Sequence, residues 1–174
     1  MKLTISILFI ALLINIIAIG QTGKKQDKGR FINYKEIEKF PRPEGCINDF
    51  EHIFTIDQKQ ELDSIITHFS NVTTNQIAIV SVKKYKPYES IKDLTTDLGN
   101  YWGVSSADKD NGLIITISKN KRSIWIGTGL GTEKVLTNEI VSNVIDNIMI
   151  PYFKKDNYFE GIKFGLLELM ELWK

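Results

Sequence analysis

With 22 basic and 21 acidic side chains among 174 residues, the chain carries a formal charge of +1, too little to draw it generally to nucleic acid or anionic lipid. A lone cysteine, Cys46, excludes an internal disulfide and a multi-cysteine zinc site. The 43% hydrophobic content is enough for one core, and the length suits one domain once the amino-terminal segment is set aside.

Lys2 precedes an almost unbroken apolar run from Leu3 to Ile19, with the small residues Ala18 and Gly20 at its end. Residues 1–20 read as a secretory signal peptide cut after Gly20. The run also approaches the roughly 20 residues needed to span a bilayer, so an uncleaved anchor is the rival reading. In both cases the chain is expected to be exported, to the periplasm or outside the cell. Membrane contact is expected only through this segment, if it is retained. No Cys follows the run, so a lipid anchor has no support. Loss of Lys2 takes the basic count from 22 to 21, against 21 acidic residues, and leaves the mature chain neutral. Residues 21–45 read as leader and linker, because the two prolines of Phe40-Pro41-Arg42-Pro43 disfavour helix and remove backbone donors. The folded domain is expected over residues 46–174.

Within that domain Thr55-Ile56-Asp57-Gln58 has capping-box spacing. Leu62, Ile65, Ile66 and Phe69 follow at helical spacing, which predicts an amphipathic helix over residues 56–69. Gln76–Val82 is β-branched and apolar, and predicts a buried strand. Ser90 can cap a helix whose inner stripe is Ile91, Leu94, Leu98 and Tyr101/Trp102, with Gly103 as its stop. Leu113–Ile117 predicts a second buried strand, Ser118-Lys119-Asn120-Lys121 a polar turn, and Ser123–Ile126 the returning hairpin strand. Thr137 can cap a helix carrying Ile140, Val141, Val144, Ile145 and Ile148, closed by Pro151. The last helix turns Ile162, Leu166, Leu169, Met170 and Trp173 to the core. The unit over residues 76–117 should be a right-handed parallel crossover. Continuous apolar strands need cover on both faces, so the predicted class is α/β: a three-layer α/β/α sandwich with a central mixed sheet.

Six short motifs in fixed order give the chain a resemblance to a known family. They are Ile47-Asn48-Asp49-Phe50 after Pro41-Arg42-Pro43, the strand Gln76–Val82, Tyr101-Trp102-Gly103, Asp110-Asn111-Gly112-Leu113, Gly129-Leu130-Gly131-Thr132-Glu133, and Ile150-Pro151-Tyr152-Phe153 with Tyr158-Phe159-Glu160-Gly161. Each is weak alone. Together, over about residues 41–172, the chain resembles the TPM domain family of bacterial envelope and thylakoid-lumen proteins. The resemblance implies divalent-cation binding and a role in assembly, repair or modulation of membrane complexes. An acid phosphatase activity, known for some relatives, is the alternative it implies. Two positions depart from the family pattern: Leu130 replaces an aromatic or basic residue, and Asn138 stands where Asp is frequent.

The residues themselves point to the stretch 110–133, an acidic turn, a hairpin and a glycine-rich turn ending in a carboxylate. Asp49, Asp110, Asn111 and Glu133 are the candidate ligands, since calcium and magnesium prefer carboxylate, amide and carbonyl oxygens. Gly112, Gly129 and Gly131 would shape the ligand turns. The plainer reading is turn chemistry, because Asp and Asn stabilise turns locally and Gly permits positive φ. Asp108-Lys109-Asp110-Asn111-Gly112 is not an EF-hand: its Gly is one place early, and Lys119 stands where the closing Glu belongs. Gly127–Gly131 could cradle a phosphate but lacks the Lys-Ser/Thr end of a P-loop. His52, three residues after Asp49, could approach the site, whereas His68 lies in the first helix. No Ser, Cys and His arrangement suggests a nucleophile with its base. The reading that follows is an envelope module binding calcium or magnesium and a protein partner, with no nucleic acid. Its alternatives are a metal-assisted phosphatase with Asp110 or Glu133 as base, and a purely structural domain.

Overall fold

The computed structural model describes residues 40–174. The signal or anchor expected over residues 1–20, and the leader up to residue 39, lie outside the described residues.

The sheet has four strands: β1 (Ile47–Asp49), β2 (Gln76–Ser81), β3 (Gly112–Ser118) and β4 (Ser123–Thr128), in the spatial order β1-β2-β3-β4. β1, β2 and β3 run parallel, and β4 returns antiparallel to β3. The mixed sheet is therefore present, with one strand more than the sequence suggests. β1 is only three residues long, too short for an alternation to stand out.

Strand periodicity divides the core between the two faces. Ile77, Ile79, Leu113, Ile115, Ile117 and Ile126 join the larger cluster. Against them lie Leu62, Ile66 and Phe69 of helix α1 (Ile56–Thr73) and Ile162, Leu166, Leu169 and Met170 of helix α5 (Tyr158–Leu172). On the opposite face Ala78, Val80 and Ile114 meet Leu98 of helix α2 (Ile91–Trp102). This is the expected three-layer α/β/α sandwich. The chain advances across the sheet in one direction from β1 to β3, yet α1 and α2 cover opposite faces. The two parallel crossovers therefore have opposite hands, so the usual right-handed rule holds for one of them.

Local signals place most helix ends. Thr55 accepts from the Gln58 backbone at 3.2 Å, and its own N–H donates to Gln58 Oε1 at 2.9 Å, completing the capping box of α1. Ser90 caps α2, and Gly103 ends it with φ of 64°. Thr137 caps α3 (Asn138–Val144). Pro151 does not close that helix. A widened π turn, Ile145–Met149, follows α3, and Pro151 sits in the first turn of α4 (Ile150–Phe153). Proline lacks an N–H and crowds the carbonyl four residues back, and a widened turn immediately before it relaxes both demands.

The stretch Phe40–Gly45, expected to be the tail of a linker, lies against the domain. Phe40 packs on Tyr101 and Tyr88 at ring-centroid distances of 5.4 and 6.0 Å. Pro41 carbonyl accepts from Trp102 Nε1 at 2.9 Å. The prolines do prevent helix here, but an extended strap can still half-bury an aromatic side chain.

Candidate functional site

The register fixes where each candidate residue falls. Asp49 pairs with Ser81, and Ser81 with Ile117, at the carboxyl end of the parallel strands. Gly112 pairs with Gln76 at the other end. Five residues of extended chain separate Gly112 from Ile117, roughly 17 Å at the usual rise per residue. Asp49 is thus at one end of the sheet, and Asp110, Asn111 and Glu133 are at the other.

At that second end two turns are locked together through their backbones. Asp110 adopts φ of 48°. Its carbonyl accepts from Gly131 N at 3.1 Å and Thr132 N at 3.3 Å. Gly112 carbonyl accepts from Gly129 N and from the Thr132 hydroxyl, both at 2.9 Å. Glu133 N donates to Gly129 carbonyl at 3.0 Å. The glycines permit this closeness. A Cβ on Gly112 would lie 1.4 Å from Val104 carbonyl oxygen, one on Gly129 2.2 Å from Asp110 oxygen, and one on Gly131 2.0 Å from Lys109 oxygen.

Asn111 is buried and its amide is fully engaged. Its Oδ1 accepts from Ser106 N at 3.2 Å and Ser106 Oγ at 2.9 Å, and its Nδ2 donates to Thr74 carbonyl at 2.8 Å. It ties the 106–111 loop to the end of α1, which leaves no lone pair directed at a ligand. Asp110 and Glu133 differ from Asn111 in that both are exposed. Among the described residues no hydrogen bond engages the Asp110 carboxylate. Glu133 Oε1 accepts only a long bond, 3.3 Å, from the Thr128 hydroxyl.

These turns form one wall of a cleft of about 350 Å³ whose other wall is α2. Thr95, Thr96 and Asn100 line it from the helix, and Asp110, Thr128 and Leu130 from the turns. Leu130, the departure from the family pattern, is 71% exposed at its rim. Asn138, the other departure, borders a separate small pocket beside Trp125. Neither histidine is at the cleft: His52 is exposed in the turn after β1, and His68 lines a groove between α1 and α5.

At the first end Asp49 holds the β1–α1 turn. Its Oδ1 accepts from Ile53 N at 3.1 Å and its Oδ2 from Phe54 N at 2.9 Å, and the buried Ser81 hydroxyl donates to Oδ1 as well. Glu51, which the sequence does not single out, caps the β3–β4 hairpin. Its carboxylate accepts from Lys119 N at 2.8 Å and Asn120 N at 2.7 Å. The partners are 68 and 69 residues away along the chain, so no local pattern marks them.

A divalent cation at this cleft would meet one lining carboxylate, Asp110, with Glu133 outside the lining and joined to it through the Thr128 hydroxyl. Among the described residues no group of three or more His, Cys, Asp or Glu side chains converges as a metal site. Two carboxylates are a sparse set for a cation that takes six to eight oxygens, and affinity follows ligand charge. A set this sparse would hold such a cation no more tightly than extracellular calcium modules do, whose dissociation constants are about 10⁻⁴–10⁻³ M.

The family model for the TPM domain matches residues 47–172, most of the chain and nearly all of the described fold. The chain belongs to the TPM domain family. Solved structures share this TPM fold. The N-terminal domain of a protein from P. gingivalis superposes with a TM-score of 0.67 at 24% identity, covering 73% of this chain and 80% of that one. BA42 protein from Bizionia argentinensis does so with a TM-score of 0.62 at 17% identity, over 72% and 88% of the two chains. The N-terminal domain of cg2496 protein from Corynebacterium glutamicum gives 0.59 at 10%, over 78% and 85%. No curated protein matches the chain significantly.

Proposed function

We propose that this TPM domain is a non-catalytic module of the cell envelope that binds calcium or magnesium weakly at the α2–β3/β4 cleft and presents the loaded rim to a protein partner. In this role it supports assembly or maintenance of a protein complex. The apolar run Leu3–Ile19 supports export. The observation that carries the cation reading is the state of Asp110. Its backbone is pinned by Gly131 and Thr132, while its carboxylate is exposed and has no hydrogen bond among the described residues. A carboxylate on a fixed backbone loses little further freedom on meeting a cation. The phosphatase alternative asks the same two carboxylates to hold the metal and to act as general base, and the cleft lining adds no histidine or cysteine.

Thermal unfolding of the full chain in chelator and in 10 mM calcium or magnesium (about ten times the expected dissociation constant) tests this. Binding to the folded state alone then adds about 1.4 kcal/mol, a rise of roughly 3–8 °C for a domain of this size. Asp110→Asn and Glu133→Gln should abolish the rise, whereas Asp49→Asn should lower the midpoint but keep the response. An unchanged midpoint in both cations sinks the cation site. Phosphate release from 4-nitrophenyl phosphate that Asp110→Asn abolishes would replace this reading with the enzymatic one.

A further inference from the structure

Another cavity lies at the far end of the sheet from that cleft. It encloses about 610 Å³ beside the β3–β4 hairpin, within the range typical of small-molecule sites. Ile117, Ile124, Ile150, Phe153 and Tyr158 give it an apolar floor. Phe153 and Tyr158 stack at 4.9 Å between ring centroids, with planes 16° apart. The cavity opens at the carboxyl end of β3, the end at which open α/β sheets usually receive ligands.

Charge at its rim is one-sided. Asp156 is answered by Lys119 at 2.8 Å. Lys119 Nζ also stands 5.2 Å above the Tyr158 ring. Glu51 is taken up by the two backbone N–H groups of the hairpin. Arg122 and Lys154 line the cavity, and among the described residues neither has a carboxylate partner. Arg122 is close enough to Tyr158 to act on its hydroxyl, opposing the upward push that burial gives that group. Glu51 fixes the hairpin tip that carries Arg122, so the guanidinium is displayed from an anchored turn rather than a loose loop.

We infer that this cavity binds a small organic anion, a carboxylate or phosphate group on an aromatic or branched apolar body. The anion would sit between Arg122 and Lys154, and its body on the Phe153–Tyr158 floor. Guanidinium pairs with either head group through two N–H donors.

The test is an NMR titration of the ¹⁵N-labelled full chain with phenyl phosphate and with phenylacetate, with benzyl alcohol as the neutral control. Saturable shifts confined to the amides of Ser118–Ile124 and Phe153–Tyr158 are expected for at least one anion. Arg122→Gln and Lys154→Gln should each weaken that binding roughly tenfold, and Asp110→Asn should leave it unchanged. Both substituted residues are exposed, so the variants should fold normally. The site is refuted if benzyl alcohol binds equally well, if the shifts fall at the Asp110–Gly131 turns, if both Gln variants bind like the parent, or if neither anion saturates.

Discussion

Asp49 and Asp110 are the same residue type at opposite ends of one sheet, and the structure uses opposite parts of them. At the carboxyl end of the parallel strands, side chains satisfy backbone: Asp49 takes Ile53 N and Phe54 N, and Glu51 takes Lys119 N and Asn120 N. At the other end Asp110 bonds through its backbone instead: its carbonyl takes Gly131 N and Thr132 N, and its carboxylate is left to solvent. An acidic residue in a turn is therefore not by itself a sign of a ligand. What matters is which of its oxygens the fold has already engaged.

The largest expected effect breaks the backbone-built end. Gly112→Ala would put a methyl group 1.4 Å from Val104 carbonyl oxygen, a backbone atom that cannot rotate away. The loss should reach about 4 kcal/mol or prevent folding, since such values arise where a special backbone position is violated. Urea unfolding checks it, and a loss under ~1 kcal/mol would mean that the two turns are less tightly joined than the hydrogen bonds indicate.

Asn111→Asp sharpens the contrast next. A carboxylate there would face Thr74 carbonyl at the distance where Nδ2 now donates, 2.8 Å. Losing that bond and burying a charge should cost roughly 2–4 kcal/mol. If Asn111 were instead a cation ligand, the added charge would tighten calcium binding. Calcium titration of the folded variant separates the two: stronger binding would show that the amide is a ligand rather than a tie. Asp49→Ala should cost slightly less, about 2–3 kcal/mol, because it leaves the Ile53 and Phe54 N–H groups and the Ser81 hydroxyl without their acceptor in a half-buried turn. A cation response that disappears in a folded Asp49→Ala protein would contradict the separation of the two ends.

The same contrast explains what the sequence could convey. α1, α2, β2, β3 and β4 were legible because each couples a regular apolar spacing to a local cap or turn: Thr55 with Gln58, Ser90 with Gly103, Ser118–Lys121 between two strands. β1 was not, because three residues carry no period. The continuation past Pro151 was not, because a widened turn has no sequence signature of its own. Of the candidate ligands, Asp110, Asn111 and Glu133 lie within 24 residues of sequence and come together at one end. Asp49 joins them on residue type, as one more acidic side chain suited to calcium or magnesium, and residue type says nothing about which end of a strand it occupies. Glu51 was invisible because its partners lie across the sheet, in a hairpin that looks self-sufficient from its own sequence.

The smallest expected effect concerns Asp110 alone, and separates its conformation from its charge. With φ of 48°, the position favours Asn, Asp or Gly and penalises a β-branched residue. Asp110→Asn keeps the conformation and removes the charge, so its stability in chelator should stay within ~0.5 kcal/mol of the parent. Asp110→Val removes the charge too but strains the backbone, and should cost about 1–3 kcal/mol. Differential scanning calorimetry in chelator compares them directly. A large loss in Asp110→Asn would mean that the carboxylate already has a structural task, as Asp49 does, and the two ends of the sheet would then be built alike.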